Sequence, residues 1–516
     1  MKKTYISIFV SLCFSIIFSA CTNLDETLYD RISATNFYKT PEEVNAGLTD
    51  VYYRFNVAHN FLNQWQLQEC STDHAMCPWG DGNVFKQAQL HTWDATHGPM
   101  REVYTNIFSC IAACNSFIET LKLAKLSNGP AIEAEVKTIR AYSYMELIDL
   151  FGNVPIVTVA QIDPQNLPTN KPIVDQRKKV FEFIEAELKD AILNLVSLKD
   201  VADKQGYYPR VAKETAQSLL AKLYLNAEIW SGTARWQDCA NACDDVINSD
   251  VYSLPTIYGG IWKAFAPDNE IAANNKEIIL GLSKENIANW DPATGNWINT
   301  LSIHPELKGA WRNGKNLNIT YAGWGGPSVL DEHFMIYDSL DFRRTLILKG
   351  KFYDQNNKLL IDIKPYSNTD IFAFNNPKEG LSCIKYQPDP TVLTNFARND
   401  MILLRYADIL LSKAEAIYRL SPGNKSTAEA LITQVYARNF QIPRTFTINS
   451  LDDILQERSR EFLWENTYRT DLVRFGKFIT TRTKWKTTDD PAYRNIFPIP
   501  QSEMQTNPNL SQNPNY

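Results

Sequence analysis

The chain has 516 residues, of which 44% are hydrophobic and 21% are charged, so it can bury a large core and does not have the composition of a disordered protein. Its 52 basic and 58 acidic residues give a net charge of −6 and form no basic stripe, so nucleic-acid binding has no electrostatic support. The length allows one large domain or two to three ordinary ones.

The start of the chain has the pattern of a secretory signal. Lys2 and Lys3 precede an apolar stretch over residues 5–18, which is shorter than the roughly 20 residues of a membrane-spanning helix. The order FSAC that follows resembles the bacterial lipobox, in which the cysteine, here Cys21, becomes the first mature residue and carries lipid. The alternative is an ordinary signal peptide cut near a bystander cysteine. No later segment is expected to span a bilayer.

Helical patterns dominate the chain after residue 40. The first helix begins with TPEE, which supplies an N-cap, a proline in the first turn and acids near the positive helix end. Apolar residues then recur every three to four positions, the spacing of a buried helix face. The predicted helices cover 40–55, 100–121, 131–152, 176–195, 210–230, 235–250, 401–420, 427–439 and 452–478.

Two regions, 210–250 and 401–439, each predict a helical hairpin with a short polar turn. Small residues such as Ala216 and Ala414 recur where the paired helices would approach closely. This spacing is similar to that of tetratricopeptide helix pairs. We therefore predict an all-α fold, a tetratricopeptide-like scaffold of helical hairpins with long irregular loop insertions.

The insertions are predicted at 56–99 and 251–400, which lack sustained helical periodicity and are rich in Gly, Asn, Asp, Pro and Trp. Long irregular stretches in a packed domain are usually functional. No clear linker separates them from the helices. We therefore expect residues 1–20 to be a signal peptide and 21–516 to be a single domain.

The aromatic residues of these loops predict a sugar-binding surface. An aromatic ring stacks on the apolar face of a sugar, while nearby carboxylates and amides bond its hydroxyl groups. The candidate residues are Asp73, Trp79, Asp81, Asn83 and Trp93 in the first loop, and Trp290, Trp297, Trp311, Tyr321 and Trp324 in the second. The alternative is core packing, because tryptophan is highly buried on average. Trp230 and Trp464 lie in helical patterns and are expected in the core.

Nine cysteines are present, and the seven that follow Cys21 cannot all pair because their number is odd. Cys70 and Cys77 could form a loop disulfide in an oxidising compartment. A zinc site is another possibility, with Cys70, His74, Cys77 and His91 as ligands. Their C-x3-H-x2-C spacing is not that of a common zinc finger, so we expect no metal and no other cofactor.

A set of segments then occurs in a fixed order between Cys21 and Tyr516. The segments are FYKTPEEVNAGL, AEVKTIRAYSYMELIDLFGNVPIV, NKEIILGLS, LDEHFMIYDSLDFRR, LLRYADILLSKAEAIY, ERSREFLWENTYRTDLVRFG and NIFPIPQSEMQTNPNLSQNPNY. Together they resemble the SusD/RagB family of surface lipoproteins that serve nutrient uptake.

The resemblance implies a tetratricopeptide-like α fold, divided into an N-terminal part over about 21–330 and a C-terminal RagB/SusD part over about 331–516. It implies a non-catalytic protein that captures oligosaccharides or polysaccharides and delivers them to a SusC-like TonB-dependent transporter. It also implies a location at the outer membrane, anchored by lipid on Cys21 and facing the cell exterior.

Two other functions stay open from the sequence. A glycoside hydrolase would use two carboxylates, and Glu461 and Glu465 are the candidates in the last charged helix. Arginines this close would keep both carboxylates ionised, which favours a structural ion network. The other alternative is a helical-repeat scaffold for protein interactions, which buried loop tryptophans would favour. The sequence does not identify the ligand: starch, a host glycan, a plant polysaccharide and a peptide all stay open.

Overall fold

The computed structural model describes residues 38, 40–59, 61–267, 276–284, 296, 298–367, 378–391, 397–481, 483 and 485–516. Seventeen α-helices lie within these residues. They are α1 (Pro41–Ala58), α2 (Phe61–Gln68), α3 (Val84–Leu90), α4 (Gly98–Ala124), α5 (Gly129–Leu150), α6 (Ile173–Asn194), α7 (Lys204–Tyr207), α8 (Lys213–Leu225), α9 (Ala227–Ser231), α10 (Trp236–Ile247), α11 (Ile298–Ser302), α12 (Asp331–Phe334), α13 (Tyr406–Leu420), α14 (Lys425–Ala437), α15 (Leu451–Glu461), α16 (Tyr468–Arg474) and α17 (Gln501–Thr506).

The larger helices form a stack in which each packs against its neighbour in the chain. The order of contacts is α1, α4, α5, α6, α8, α10, α13 and α14. Helix α5 is buried on most of its circumference because it lies between α4 and α6. The fold is therefore predominantly helical, as the apolar periodicity predicts.

The first predicted helix start is confirmed by its cap. The Glu43 backbone N–H donates to Thr40 Oγ1 at 3.3 Å, and the Thr40 N–H donates to Glu43 Oε2 at 3.1 Å. These two hydrogen bonds satisfy donors that a helix start otherwise leaves unpaired.

Short strands lie in the second irregular region and directly after it, so the description of the fold as all-α is incomplete. They are β1 (Ile278–Leu282), β2 (Trp311–Arg312), β3 (Lys315–Asn316), β4 (Ile347–Leu348), β5 (Gly350–Tyr353), β6 (Leu359–Ile363), β7 (Ser382–Cys383) and β8 (Met401–Arg405). Their antiparallel pairings are β1 with β8, β4 with β7, and the four-stranded order β3-β2-β5-β6.

Three predicted helices differ from the structure. The helix expected over 210–230 is two helices, α8 and α9, with Asn226 between them. The helix expected over 401–420 begins as the buried strand β8, because its first residues pair with β1, and only becomes helical at Tyr406. The helix expected over 452–478 is two helices, α15 and α16. Between them Trp464 and Asn466 have φ values of 63° and 58°, and left-handed backbone cannot continue a right-handed helix.

Helix α4 is long and apolar enough to cross a membrane by length and composition, contrary to the expectation from the sequence. It packs against α1 and α5, and its residues Val103, Ile107, Cys110 and Cys114 are buried. These four side chains therefore lie in the core of the stack.

The first loop region is held against the C-terminal part of the chain. Trp65 of α2 and Trp464 meet edge to face with ring centroids 5.1 Å apart. Farther along, the Phe497 N–H donates to the Leu150 carbonyl at 2.7 Å. The first contact ties α2 to the C-terminal part of the chain, and the second ties the end of α5 to it.

Candidate functional site

Two of the predicted loop tryptophans lie side by side. The ring centroids of Trp79 and Trp324 are 6.3 Å apart, and the ring planes are tilted by 44°. Both side chains are partly buried, and Trp79 also meets Phe85 of α3 edge on, with centroids 6.0 Å apart. We call Trp79 and Trp324 the aromatic pair.

The backbone around Trp324 positions this pair. The Trp324 N–H donates to the Thr300 carbonyl of α11 at 2.7 Å, and the Gly326 N–H donates to the Leu301 carbonyl at 2.8 Å. A Cβ atom at Gly326 would collide with the Trp79 ring, so only glycine lets the two loops approach this closely. Main-chain contacts to a buried helix thus position Trp324, and the Trp79 ring packs against Gly326.

Polar residues of the first loop lie near Trp79 in the sequence. Asn83 is exposed, has a left-handed φ of 62° and stands at the N-terminus of α3, four residues after Trp79. Its amide can donate to and accept from hydroxyl groups. Asp73 is partly buried. The structure does not describe the side chain of Asp81.

Trp93 and Tyr321, two of the candidates, are core residues, so their assignment to a sugar-stacking surface is wrong. Trp93 is 1% exposed and Tyr321 is 2% exposed. The Trp93 indole N–H donates to the Tyr516 hydroxyl at 2.9 Å, and its ring meets Phe497 edge on. The C-terminal segment therefore covers this loop, although the turn-rich sequence of the loop predicts a position at the surface.

The remaining candidates fall elsewhere. Trp311 is partly exposed on β2, where it pairs with Tyr353 of β5 and Asn316 of β3. Trp290 and Trp297 lie outside the described residues.

The two tryptophans expected in the core are buried, which confirms that prediction. Trp230 is 4% exposed and Trp464 is 1% exposed. The Trp464 indole N–H donates to the His74 carbonyl at 3.3 Å.

Glu461 and Glu465, the candidate catalytic carboxylates, lie inside a buried ion network. Arg405 contacts both, with Nη1 2.8 Å from Glu461 Oε1 and Nε 2.7 Å from Glu465 Oε2. Arg438 and Arg343 also reach Glu461, at 2.7 and 2.8 Å.

Burial by itself would raise the pKa of Glu461, but the surrounding guanidinium groups, Arg405 first among them, outweigh burial and lower the pKa well below its usual range. A carboxyl group held ionised in this way cannot act as a general acid near neutral pH. The interpretation as a structural ion network therefore agrees with the geometry.

A second buried network lies beside the first. Arg474 holds Glu415 through two contacts, Nε to Oε1 at 2.7 Å and Nη2 to Oε2 at 2.8 Å. Arg419 adds a contact of 2.9 Å from the next turn of α13. Burial opposes ionisation of Glu415, but the charge of Arg474 and its neighbours lowers its pKa to about 2.

A third constellation has the order of groups found in serine hydrolases. Ser459 Oγ lies 2.9 Å from His74 Nε2, and His74 Nδ1 lies 2.8 Å from Glu69 Oε2. All three side chains are buried, and the His74 ring stacks on Tyr468 with centroids 3.6 Å apart. A substrate cannot reach this serine, so the chain of hydrogen bonds ties the first loop to α15.

The structure also bears on the predicted disulfide and on the predicted zinc site of the first loop. Cys70 and Cys77 are both buried as thiols, so the proposed disulfide between them is not formed. His91 bonds Asp490 at 2.6 Å and the Ser71 carbonyl at 2.7 Å, which uses both ring nitrogens. Across the part of the chain that the structure describes, no group of three or more histidine, cysteine or acidic side chains is arranged to hold a metal ion.

One partly exposed loop tryptophan, Trp485, was not among the residues predicted from the sequence. Trp485 is partly exposed and meets Tyr366 edge to face, with centroids 6.3 Å apart. It stands in the polar, non-helical stretch RTKWKTTDD. A position outside the periodic helices, which selected the other loop tryptophans, would have selected Trp485 as well.

Solved structures share this fold. A SusD homologue from Bacteroides thetaiotaomicron superimposes with a TM-score of 0.74 at 21% identity, covering 94% of this chain and 98% of that one. A laminarin-binding SusD-like protein gives a TM-score of 0.71 at 24% identity, covering 93% and 100% of the two chains. The helical stack with long loop insertions is therefore the fold of these SusD-like structures.

Sequence comparison gives the family. A model described as the SusD family matches residues 310–516, and one described as "Starch-binding associating with outer membrane" matches residues 24–225. The starch-binding protein SusD of Bacteroides thetaiotaomicron is 24% identical over 493 residues, which cover 88% of this chain and 86% of that protein. The chain belongs to the SusD/RagB family.

Proposed function

We propose that this protein binds glycans without transforming them, and that the aromatic pair is part of the binding surface. The observation that carries the proposal is the placement of Trp79 and Trp324, two partly exposed rings held side by side by glycine backbone. Relatives named for starch and laminarin binding support the same class of ligand.

The chemistry of such a ligand predicts a modest affinity. A neutral sugar chain offers few charges, so binding depends on ring stacking and neutral hydrogen bonds. Each ring contributes on the order of 1 kcal/mol beyond simple burial. Ordering a flexible chain offsets part of this gain, so we expect dissociation constants of roughly micromolar to millimolar.

The proposed location is the outer membrane, with lipid on Cys21 and the domain facing the cell exterior. The FSAC order and the acidic residues Asp25 and Glu26 support it, together with the description of the matching N-terminal family model. The proposed partner is a SusC-like TonB-dependent transporter that receives the captured glycan. Replacing Cys21 with Ala should release the protein into a soluble fraction, and unchanged acyl labelling in that variant would contradict the anchor.

The glycoside hydrolase alternative has weaker support. The candidate carboxylates Glu461 and Glu465 are buried and held by arginine, and Ser459 is inaccessible. The scaffold alternative is also weaker, because Trp79, Trp311 and Trp324 are partly exposed.

The proposal is tested by screening the soluble form, residues 22–516, on a glycan array that includes starch and laminarin fragments. We expect binding to at least one glycan class. Prolonged incubation with the bound glycan should leave its chain-length distribution unchanged. Binding to no glycan would overturn the proposal, and steady release of shorter products would favour the hydrolase.

A further inference from the structure

A groove runs along the outside of the stack where α1 and α4 pack against each other. Its volume is about 590 Å³, which is within the range of binding clefts. Ser109, Ala112 and Ser116 of α4 are exposed along it, so the groove is open to solvent. The groove exists because both helices carry small residues on the facing strips, namely Ala46, Gly47, Ser109, Ala112, Ala113 and Ser116.

A loop forms the third side of the groove and is held by hydrogen bonds to α4. Asn115 Nδ2 donates to the carbonyls of Val157 and Val159, each at 3.1 Å. The Ala160 N–H donates to Glu119 Oε1 at 2.9 Å, and Ala160 lines the groove. These bonds fix the wall to α4, so the groove is a preformed feature of the fold.

Tyr38, the first residue of the chain that the structure describes, is seated in this groove. It is 6% exposed, and its ring lies 5.0 Å from the ring of Phe117, centroid to centroid. A Cβ atom at Gly47 would collide with the Tyr38 ring, so glycine at this position admits the side chain. The chain therefore enters the folded domain through the groove.

The segment that precedes Tyr38 has side chains suited to the rest of the groove. Residues 22–37 lie outside the described residues, and their sequence is TNLDETLYDRISATNF. Leu24, Leu28 and Ile32 recur at every fourth position, the spacing of side chains on one side of a helix. Apolar side chains of this size can cover a strip of glycine, alanine and serine, and their removal from water favours docking.

The reach and the charges of the segment also match the groove. The lining on α1 ends at Arg54, about 11 Å from Gly47 along the helix. Leu28 is ten residues from Tyr38 and can lie up to about 33 Å from it, so the segment is long enough. Asp50 and Arg54 are exposed and form an ion pair at 3.5 Å. The segment likewise carries charges of both signs, in Asp25, Glu26, Asp30 and Arg31.

We propose that the groove between α1 and α4 binds residues 22–37 of the same chain, with Leu24, Leu28 and Ile32 against its small residues. The chain's own segment is favoured over a separate partner because it is joined covalently to Tyr38. Its effective concentration at the groove is of millimolar order, so weak contacts are sufficient.

The proposal has a consequence for the position of the domain, which rests on the lipid proposed for Cys21. A docked segment would hold the face formed by α1 and α4 close to the membrane. A free segment could instead extend by up to about 55 Å. The docking itself does not depend on glycan binding.

Trypsin cleavage of the soluble form, residues 22–516, tests the proposal. Arg31 is the only lysine or arginine within residues 22–37, so the bond between Arg31 and Ile32 reports on this segment alone. Its cleavage rate, followed by mass spectrometry, is compared with the rate in the free peptide of residues 22–37. Cleavage in the protein should be at least ten-fold slower, because a docked segment cannot enter the protease.

Two variants should abolish this protection. Ala112→Trp fills the groove at an exposed position, and Leu24→Asp/Leu28→Asp removes apolar side chains from the segment itself. Each should be cleaved within two-fold of the rate of the free peptide with the same sequence. The second variant leaves the described domain unchanged, so it decides the question if Ala112→Trp does not fold.

Two matched controls should keep the protection of the wild type. Asn45→Trp adds the same ring at an exposed position of α1 that does not line the groove. Asn23→Asp/Thr27→Asp adds the same two charges beside the leucines.

Wild-type cleavage as fast as that of the free peptide would overturn the proposal, as would protection that Leu24→Asp/Leu28→Asp retains. Protection that appears only at protein concentrations where sedimentation shows dimers would also overturn it, because a second copy would then occupy the groove. A failure to bind any glycan on the array would overturn the proposed function and leave this result unaffected.

Discussion

Trp464 and Trp324 have different surroundings. Trp464 is 1% exposed, meets Trp65 edge on and donates to the His74 carbonyl, whereas Trp324 is partly exposed beside Trp79. Trp93 resembles Trp324 in its loop context but is covered by Tyr516, which lies 423 residues away in the chain. Local sequence therefore separates helix tryptophans from loop tryptophans, but it cannot reveal which loop a distant segment covers.

Replacing Trp464 with Ala should lower the free energy of unfolding by about 3–5 kcal/mol, because a large buried ring is removed and a cavity is left. Trp324→Ala should lower the free energy of unfolding clearly less, since part of the Trp324 ring is already in contact with water. Urea unfolding of both variants measures the difference. Equal losses would show that Trp324 is a core residue and would remove the basis of the aromatic pair.

The buried pair of Glu415 and Arg474 predicts acid sensitivity. The pKa of Glu415 is about 2 in the folded protein, and its ordinary value is near 4.5. The folded state therefore gains stability from ionised Glu415 above about pH 4.5, and this gain is lost as the pH falls towards 2. The contribution is on the order of 3 kcal/mol.

Urea unfolding between pH 7 and pH 3 tests this prediction. Glu415→Gln should be less stable at pH 7, because Arg474 loses its charged partner, and should lose less further stability on acidification. Glu182→Gln, an exposed carboxylate on α6, is the matched control and should follow the wild type. An acid dependence unchanged in Glu415→Gln would contradict the assignment.

At the scale of elements, the helices with strong local signals were predictable. The start of α1 follows from its capping residues, and the long helices follow from apolar spacing. The short strands were not predictable in this way. Strand β8, for example, is extended because it pairs with β1, which lies more than a hundred residues earlier in the chain. Strand pairs of this kind depend on distant partners, which a local sequence pattern does not reveal.

The break between α15 and α16 gives a backbone prediction. Asn466 has a φ of 58°, a conformation that glycine adopts freely and alanine adopts at a cost of roughly 1–2 kcal/mol. Asn466→Gly should therefore be more stable than Asn466→Ala in thermal or urea unfolding.

Asn45 is exposed within α1 and serves as the control with the opposite sign. At this position the Asn45→Ala variant should be more stable than the Asn45→Gly variant by about 1 kcal/mol, because glycine is a poor helix former. The same order of stability at both positions would contradict the left-handed backbone at Asn466.

At the scale of the whole molecule, we propose that residues 21–516 form one domain. The N-terminal part supplies His74 and Leu150, and the C-terminal part supplies their partners Ser459 and Phe497. Trp65 and Trp464 add an aromatic contact between the same two parts. Each part therefore completes the core of the other.

Calorimetric unfolding of the soluble protein should accordingly show a single transition, and a protein ending at residue 330 should not fold alone. Two separate transitions would contradict a single domain, as would a stably folded N-terminal part.

The candidate site was predictable only in part. The turn-rich context selected Trp79 and Trp324, and the structure brings these two together. The context could not show that the loops meet at a backbone bridge between Met76 and Ser328, because that bridge joins positions about 250 residues apart.

The central claim is that the partly exposed rings of Trp79 and Trp324 bind a glycan, and calorimetric titration of the double variant Trp79→Ala/Trp324→Ala tests it most directly. The titrant is the malto- or laminari-oligosaccharide that the wild type binds, and the control is Trp236→Ala, which removes a partly exposed tryptophan of α10. Loss of two rings at on the order of 1 kcal/mol each should weaken binding about 30-fold, while Trp236→Ala binds like the wild type. Wild-type affinity in a folded double variant would contradict the account.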